Sequence, residues 1–256
     1  AVLQREISQR LLERLQYIRL QPEHIVDIGS GTGYATLGLQ QIYPDASIIN
    51  LDLAPTMLVE ARKKTAKLAN IHFICADAEQ IALADQSIDF IFSNLTFQWI
   101  NDLGVCFTEC RRILKPGGLL LFSTFGPDTL KELKASWAQV DNGQHVHEFI
   151  DMHHIGDALL ACGFSDPVMD MEYLTLRYQN LRTLLMDLKK LGAHNARVSR
   201  SKSLLGKNKW LALQQAYEKF RSQSSLPASY EVVYGHAWGA ESRQQAAIHI
   251  SLDDIK

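Results

Sequence analysis

Apolar residues at Leu3, Ile7, Leu11, Leu15 and Ile18 recur at helical spacing with polar residues between them, which predicts a helix over residues 1–18. His24–Ile28 reads as a buried strand running into a glycine turn, and Tyr34–Tyr43 as a helix stopped by Pro44. The alternation continues with strand Ser47–Leu53, a helix from Pro55 to Ala69 opened by its proline, and strands Ile71–Ala76 and Ile88–Ser93. Asn101–Leu114 follows as a helix with Leu103, Phe107 and Leu114 at core-facing spacing. Lys115-Pro116-Gly117-Gly118 predicts a turn before an apolar strand over Leu119–Phe125. The carboxyl half predicts a helix Asp151–Cys162 ended by Gly163, a long strand Pro167–Gln179, helices Asn180–Leu191 and Lys207–Gln223, and a last strand Tyr230–Trp238.

Strands alternating with helices at this spacing predict an α/β, Rossmann-like fold: one mostly parallel seven-stranded sheet with helices on both faces, in a single domain over residues 1–256. The stretch between the last two strands, residues 180–228, is too long for a plain connection and should carry its own helices as an insertion. Ligands of such sheets bind beyond the carboxyl ends of the strands, so the residues that follow each strand are the first place to look for chemistry.

The chain is 46% hydrophobic and 21% charged, with a formal net charge of −2. No global field points to nucleic acid or to a membrane surface, and any basic recognition surface must be local. There is neither a signal-peptide pattern nor an apolar run able to span a bilayer. Cys75, Cys106, Cys110 and Cys162 have no metal-ligand spacing and sit among apolar neighbours, so they are expected as buried free thiols in a reducing compartment, the cytoplasm, with no metal site. The chain opens at Ala1 within a helical pattern, which suggests that a segment precedes it.

The first glycine turn, Asp27-Ile28-Gly29-Ser30-Gly31-Thr32-Gly33, has the spacing GxGxG. A dinucleotide site would place a small residue at position 34, where this chain has Tyr34. GxGxG with an acid two positions earlier resembles the first motif of class I S-adenosylmethionine-dependent methyltransferases. Glycine there turns tightly and lets the backbone approach a ligand without a Cβ. The alternative is a glycine-rich strand–helix turn that binds nothing.

Three further strand ends fit the same site. Asp52, followed by Leu53, closes the second strand, where a carboxylate can accept two hydrogen bonds from ribose hydroxyls. Asp77-Ala78 closes the third strand, and the resemblance implies that the acid receives the adenine amino group while the next N–H meets the ring. Asn94-Leu95 closes the fourth, where the superfamily commonly holds the methionine ammonium with backbone carbonyls. Any one of these residues could be a solvated strand end or a helix cap; chance does not readily place all of them at consecutive strand ends.

The carboxyl half narrows the resemblance. Phe125-Gly126-Pro127-Asp128-Thr129-Leu130, His153-His154-Ile155-Gly156-Asp157-Ala158-Leu159, Pro167-Val168-Met169-Asp170-Met171-Glu172, Leu191-Gly192-Ala193-His194-Asn195 and Tyr230-Glu231-Val232-Val233-Tyr234-Gly235-His236-Ala237-Trp238 resemble the malonyl-[acyl-carrier protein] O-methyltransferases of biotin synthesis. The similarity runs over essentially the whole chain, except that the family usually has an N-terminal lid ahead of the first helix. It implies transfer of a methyl group from S-adenosylmethionine to the free carboxylate of malonyl-acyl-carrier protein. A carboxylate is already ionised at neutral pH and needs no general base, and no Cys–His or Ser–His–Asp set is evident. Catalysis would rest on holding an oxygen in line with the sulfonium methyl in a dry site.

Such a substrate needs cationic or hydrogen-bonding partners. Arg177, His145, His147, Tyr230 and His236 are the candidates, with Trp99 after the fourth strand as a pocket wall; each is also readable as an ordinary core or surface residue. Between His194 and Arg221 there are seven basic residues, Arg197, Arg200, Lys202, Lys207, Lys209, Lys219 and Arg221, opposed only by Glu218. They read as a solvated face or as a dock for an acidic carrier protein, with Arg197, Arg200, Lys202, Lys207 and Lys209 as the docking candidates. The cluster lacks the interleaved aromatics of a single-strand nucleic-acid platform. The rival readings are a methyltransferase acting on a small metabolite such as a quinone ring, and a non-catalytic S-adenosylmethionine-binding scaffold.

Overall fold

The computed structural model describes residues 2–190 and 206–240, the side chain of Lys190 excepted. Of the basic cluster, Arg197, Arg200 and Lys202 lie outside the described residues. Seven strands form one sheet: β1 (His24–Ile28), β2 (Ser47–Asp52), β3 (Ile71–Cys75), β4 (Ile88–Asn94), β5 (Leu114–Phe125), β6 (Phe164–Tyr178) and β7 (Leu226–Gly239). Their order is β3-β2-β1-β4-β5-β7-β6. The first five run parallel, and β7 enters antiparallel between β5 and β6. This is the mostly parallel seven-stranded sheet that the sequence pattern predicts.

The side-chain alternation of the strands sorts the core into two layers. Phe90, Phe92, Leu119 and Leu121 face one side, under α1 (Val2–Glu13), α2 (Tyr34–Ile42), α7 (Leu181–Lys190) and α8 (Lys207–Glu218). Ile91, Leu120 and Phe122 face the other, under α4 (Leu103–Ile113) and α6 (Met152–Ala161). Helix α3 (Pro55–Lys64) links β2 to β3. It ends five residues before the expected Ala69, where the Thr65 hydroxyl donates back to the Ala61 carbonyl at 2.9 Å. Asp102 and Asp151 cap α4 and α6 by accepting from the amides of Val105 and His153.

Helix α1 and the turn that follows it are pinned across the sheet to β6 by ion pairs of Arg10 with Glu172 (2.5 Å) and Arg14 with Asp170 (2.7 Å). Helices α7 and α8 lie between β6 and β7 in the chain. Among the described residues no helix is long and apolar enough to cross a membrane.

Three expectations need correction. Lys115–Gly118 is not a turn between elements but an irregular stretch within β5: pairing passes from Ile88–Leu114 to Phe90–Leu119, so Asp89 alone faces four residues. A short helix, α5 (Lys131–Trp137), follows β5 where no periodic signal marks it, because seven residues offer too few turns. Cys106 and Cys110 are buried, but Cys75 is exposed, since it ends β3 at the sheet edge.

Candidate active site

The glycine turn joins β1 to α2, and its glycines are required by their surroundings. A Cβ on Gly29 would overlap the hydroxyl of Thr96, which follows β4, and the residue has φ +69°. Gly31 has φ +53° and faces open space, a Cβ there meeting nothing nearer than the Gly29 carbonyl at 4.0 Å. The first glycine therefore allows two strand ends to touch, and the second leaves backbone exposed to a ligand.

Around this turn the structure gathers Asp27, Ser30, Gly31 and Asn94 at one cavity, joined by Gln4, Arg5 and Ser8 from α1. Asp27 is buried, and its carboxyl accepts from the Thr36 hydroxyl at 3.4 Å, although that hydroxyl lies closer to Asn50 Oδ1, at 2.6 Å. Burial pushes the Asp27 carboxyl up to about 7; the Thr36 hydroxyl opposes this and the nearby Asp52 charge adds to it. Asp52 binds the turn directly: Oδ2 accepts from the Gly31 amide and Oδ1 from the Ala54 amide, both at 2.8 Å. Leu53 beside it is 69% exposed, a large apolar side chain open at a strand end. Asp77 is exposed and accepts from the Glu79 amide at 2.9 Å, while Ala78 is buried.

The end of β4 is held from both sides. Asn94 accepts from the Ser123 hydroxyl at 2.8 Å and donates its side-chain amide to the Gln4 carbonyl at 3.2 Å. Leu95 is buried with φ +55°, a conformation unusual for leucine, and its amide bonds to Ser123. Non-glycine residues held at positive φ concentrate at ligand sites. Sequence reasoning missed Gln4, Arg5 and Ser8; the available signal was Ser8, a polar residue on the apolar stripe of α1 next to Ile7.

Beyond β5 the rings form a chain. Trp99 meets His147 (centroids 5.6 Å), His147 meets Phe149 (5.1 Å), Phe149 meets Phe125 (5.6 Å), and Phe125 meets Tyr230 (5.6 Å). The structure thus connects three of the acceptor-side candidates, Trp99, His147 and Tyr230, through Phe125 and Phe149, which the sequence did not single out. Tyr230 is buried, its hydroxyl interacts with Tyr178, and burial raises its pKa. No hydrogen bond of ordinary geometry reaches it. His145 stands apart, stacked on Trp137 at 3.6 Å and bonded through Nε2 to Asp141 at 2.5 Å. Asp141 also takes Lys209 at 2.7 Å, and the two partners, Lys209 first, hold its carboxyl well below the usual range.

Two candidates are not brought to this region. Arg177 is exposed, on the face of β6 opposite Leu176 and Tyr178, and donates to the Ser225 hydroxyl at 3.4 Å. His236 pairs with Leu121 in the sheet and lines a separate groove under Arg14 and Tyr17. The pleat of β6 and the register of His236 in the sheet keep both side chains away from the ring chain. Lys207 is exposed at the start of α8.

Residues 26–122 match the family described as "Methyltransferase domain". A relative from Gallionella capsiferriformans, described as malonyl-[acyl-carrier protein] O-methyltransferase, is 50% identical over 244 residues, covering 93% of this chain and 84% of that protein. One of the same description from Laribacter hongkongensis is 43% identical over 264 residues, covering 100% and 89%. Among solved structures, the YcgJ protein of Bacillus subtilis superposes with a TM-score of 0.66 at 14% identity, covering 91% of this chain and 99% of that one. Phosphoethanolamine N-methyltransferase 2 of Haemonchus contortus, in complex with S-adenosyl-L-methionine, superposes with a TM-score of 0.59 at 18% identity, covering 91% and 53%. These two establish likeness of fold.

Proposed function

The chain belongs to the malonyl-[acyl-carrier protein] O-methyltransferases, and on that premise we propose that it moves the methyl group of S-adenosylmethionine to the free carboxylate of a malonyl group carried by acyl-carrier protein. The observation that carries this reading is the extent of the identity: 43–50% over nearly the whole chain, well past the generic methyltransferase residues 26–122. The product is a methyl ester with no charge at that end, so the acyl chain can be extended toward biotin. A carrier-borne substrate and free thiols fit a cytoplasmic site of action.

The residues present fit the cofactor. Ser30 has a buried hydroxyl without a protein partner at the cavity, and Leu53 offers open apolar surface beside Asp52. Asp27 and Asn94 would hold the amino-acid end, Asp52 the ribose, and Asp77 with Ala78 the adenine. When bound, S-adenosylmethionine supplies an electrophilic methyl group on a sulfonium. The malonyl carboxylate is ionised without help, so no residue needs to take a proton. What the chain contributes is alignment and dryness: Trp99, His147, Phe149, Phe125 and Tyr230 form the aromatic wall for the acceptor. The helical insertion, with Lys207 and Lys209, receives the acidic carrier.

Incubation with methyl-labelled S-adenosylmethionine and malonyl-acyl-carrier protein, followed by mass analysis of the carrier, tests the reading. One added methyl group on the malonyl carboxylate is expected. Absence of label on the carrier, with turnover on a small-molecule acceptor, would overturn it.

A further inference from the structure

Helix α1 closes one side of the cavity at the glycine turn, and it brings chemistry that no strand end supplies. Ser8 is 1% exposed, and its hydroxyl has no hydrogen-bond partner among the described residues. A buried helical serine ordinarily donates to the carbonyl four residues back. Here that carbonyl belongs to Gln4, and it already receives the Asn94 side-chain amide at 3.2 Å besides the helix's own N–H bond. A carbonyl oxygen has two lone pairs, so the Ser8 hydroxyl is left without its usual acceptor. It lines the same cavity as Ser30, whose buried hydroxyl is also unpartnered. Buried hydroxyls left unpaired are costly, which calls for a ligand atom to complete them.

The charges around the cavity are sorted. Asp27 puts a buried acid on its inner side. Among the described residues, Arg5 and Lys64 are the cations that line it. Lys64 is engaged with the Thr32 hydroxyl at 2.6 Å. Arg5 lies over the Tyr34 ring at 5.4 Å and makes no ion pair among the described residues. A zwitterionic amino-acid group needs an anion facing its ammonium and a cation facing its carboxylate. Asp27 and Arg5 meet those needs from opposite elements.

We infer that Arg5 and Ser8 of α1 form the binding pocket for the carboxylate at the amino-acid end of the cofactor, Arg5 supplying the charge and Ser8 a hydrogen bond. The inference rests on the cofactor reading above and deepens it: α1 becomes part of the binding site rather than a cover over the core. The Asn94–Gln4 bond then has a second effect, because it withdraws the acceptor that would otherwise silence Ser8.

Calorimetric titration with S-adenosylhomocysteine and with its decarboxylated analogue, which keeps the amine and the nucleoside, separates the possibilities. Arg5→Ala should weaken S-adenosylhomocysteine about tenfold and Ser8→Ala about threefold. Neither should alter affinity for the decarboxylated analogue. Lys64→Ala should leave the preference between the two ligands as in the unaltered protein. Equal weakening of both ligands by Arg5→Ala and Ser8→Ala would overturn the inference, as would no weakening, or loss of the preference in Lys64→Ala instead. If the unaltered protein bound neither nucleoside, the cofactor reading itself would fall, a result distinct from all of these.

Discussion

The carboxylate of Asp52, at the end of β2, accepts the backbone amide of Gly31 at 2.8 Å across the glycine turn. The acid proposed for the ribose therefore also fixes the loop proposed for the rest of the cofactor. Asp52→Ala is expected to weaken S-adenosylmethionine binding by about 1–3 kcal/mol, since both the ribose hydroxyls and the loop amide lose a charged acceptor. Calorimetry reads this directly, and unchanged affinity would remove Asp52 from the site.

Gly29→Ala tests the contact between strand ends. The new methyl group meets the Thr96 hydroxyl, and the backbone is held at φ +69°. A loss of stability of at least about 1–3 kcal/mol is expected from the backbone conformation alone. Thr96→Gly in the same chain should recover the steric part only. Denaturant melts of the single and double variants measure the split.

Asp27 gives a pH signature. Its carboxyl is raised from 3.8 to about 7 by burial, so its neutral form favours the folded state. That contribution is complete below the unfolded value of 3.8 and is lost as pH rises through about 7. A cofactor ammonium beside it favours the ionised form, so S-adenosylhomocysteine affinity should rise with pH up to about 7 and then level off. Asp27→Asn should flatten that profile; an unaltered rise would assign it to another group.

Tyr230→Phe separates packing from chemistry. The hydroxyl has no ordinary hydrogen bond to lose, so stability should change by no more than about 1 kcal/mol. If the ring chain forms the acceptor wall with that hydroxyl facing substrate, methyl transfer should fall several-fold at unchanged cofactor affinity. Activity equal to the unaltered protein would make Tyr230 a core residue.

Lys207 and Lys209 should differ as docking groups. Lys209 is committed to Asp141, whereas Lys207 is exposed and makes no ion pair among the described residues. Lys207→Glu is expected to raise KM for malonyl-acyl-carrier protein several-fold at low salt, an effect that fades as salt screens it. A malonyl thioester on a small neutral carrier should not respond. A response independent of salt would point to damage in α8 instead.

The strand ends around the proposed cofactor cavity were legible because their signals are local. Gly29, Asp52 and Asn94 each sit at or next to a strand end that hydrophobic periodicity marks, and Gly31 lies in the turn that follows the first of them. The acceptor side was less so, because its members meet only in three dimensions. Phe125, Phe149 and Tyr230 come from β5, a loop and β7, and nothing in their spacing predicts that their rings touch. Arg177 and His236 looked equally suitable as residue types, yet the pleat turns one to solvent and the sheet register sets the other in a separate groove. Ser8 was visible as a polar intruder on an apolar stripe, but its meaning depends on Asn94, 86 positions away in the chain.

The place of β7 bears on how the molecule is made. Among the described residues β6 pairs with β7 and with no other strand, and β7 joins it to β5. A nascent chain that has emerged only through α8 holds β6 without a partner and leaves one side of β5 as an open edge. The five parallel strands with the glycine turn can be in place by then, since amino-terminal segments leave the ribosome first. The last fourteen-residue strand must then slip between two strands already synthesised. A ribosome stalled short of Leu226 would thus release a species with its cofactor loop formed and a sticky sheet edge exposed, a target for chaperones and proteases rather than a partly active enzyme.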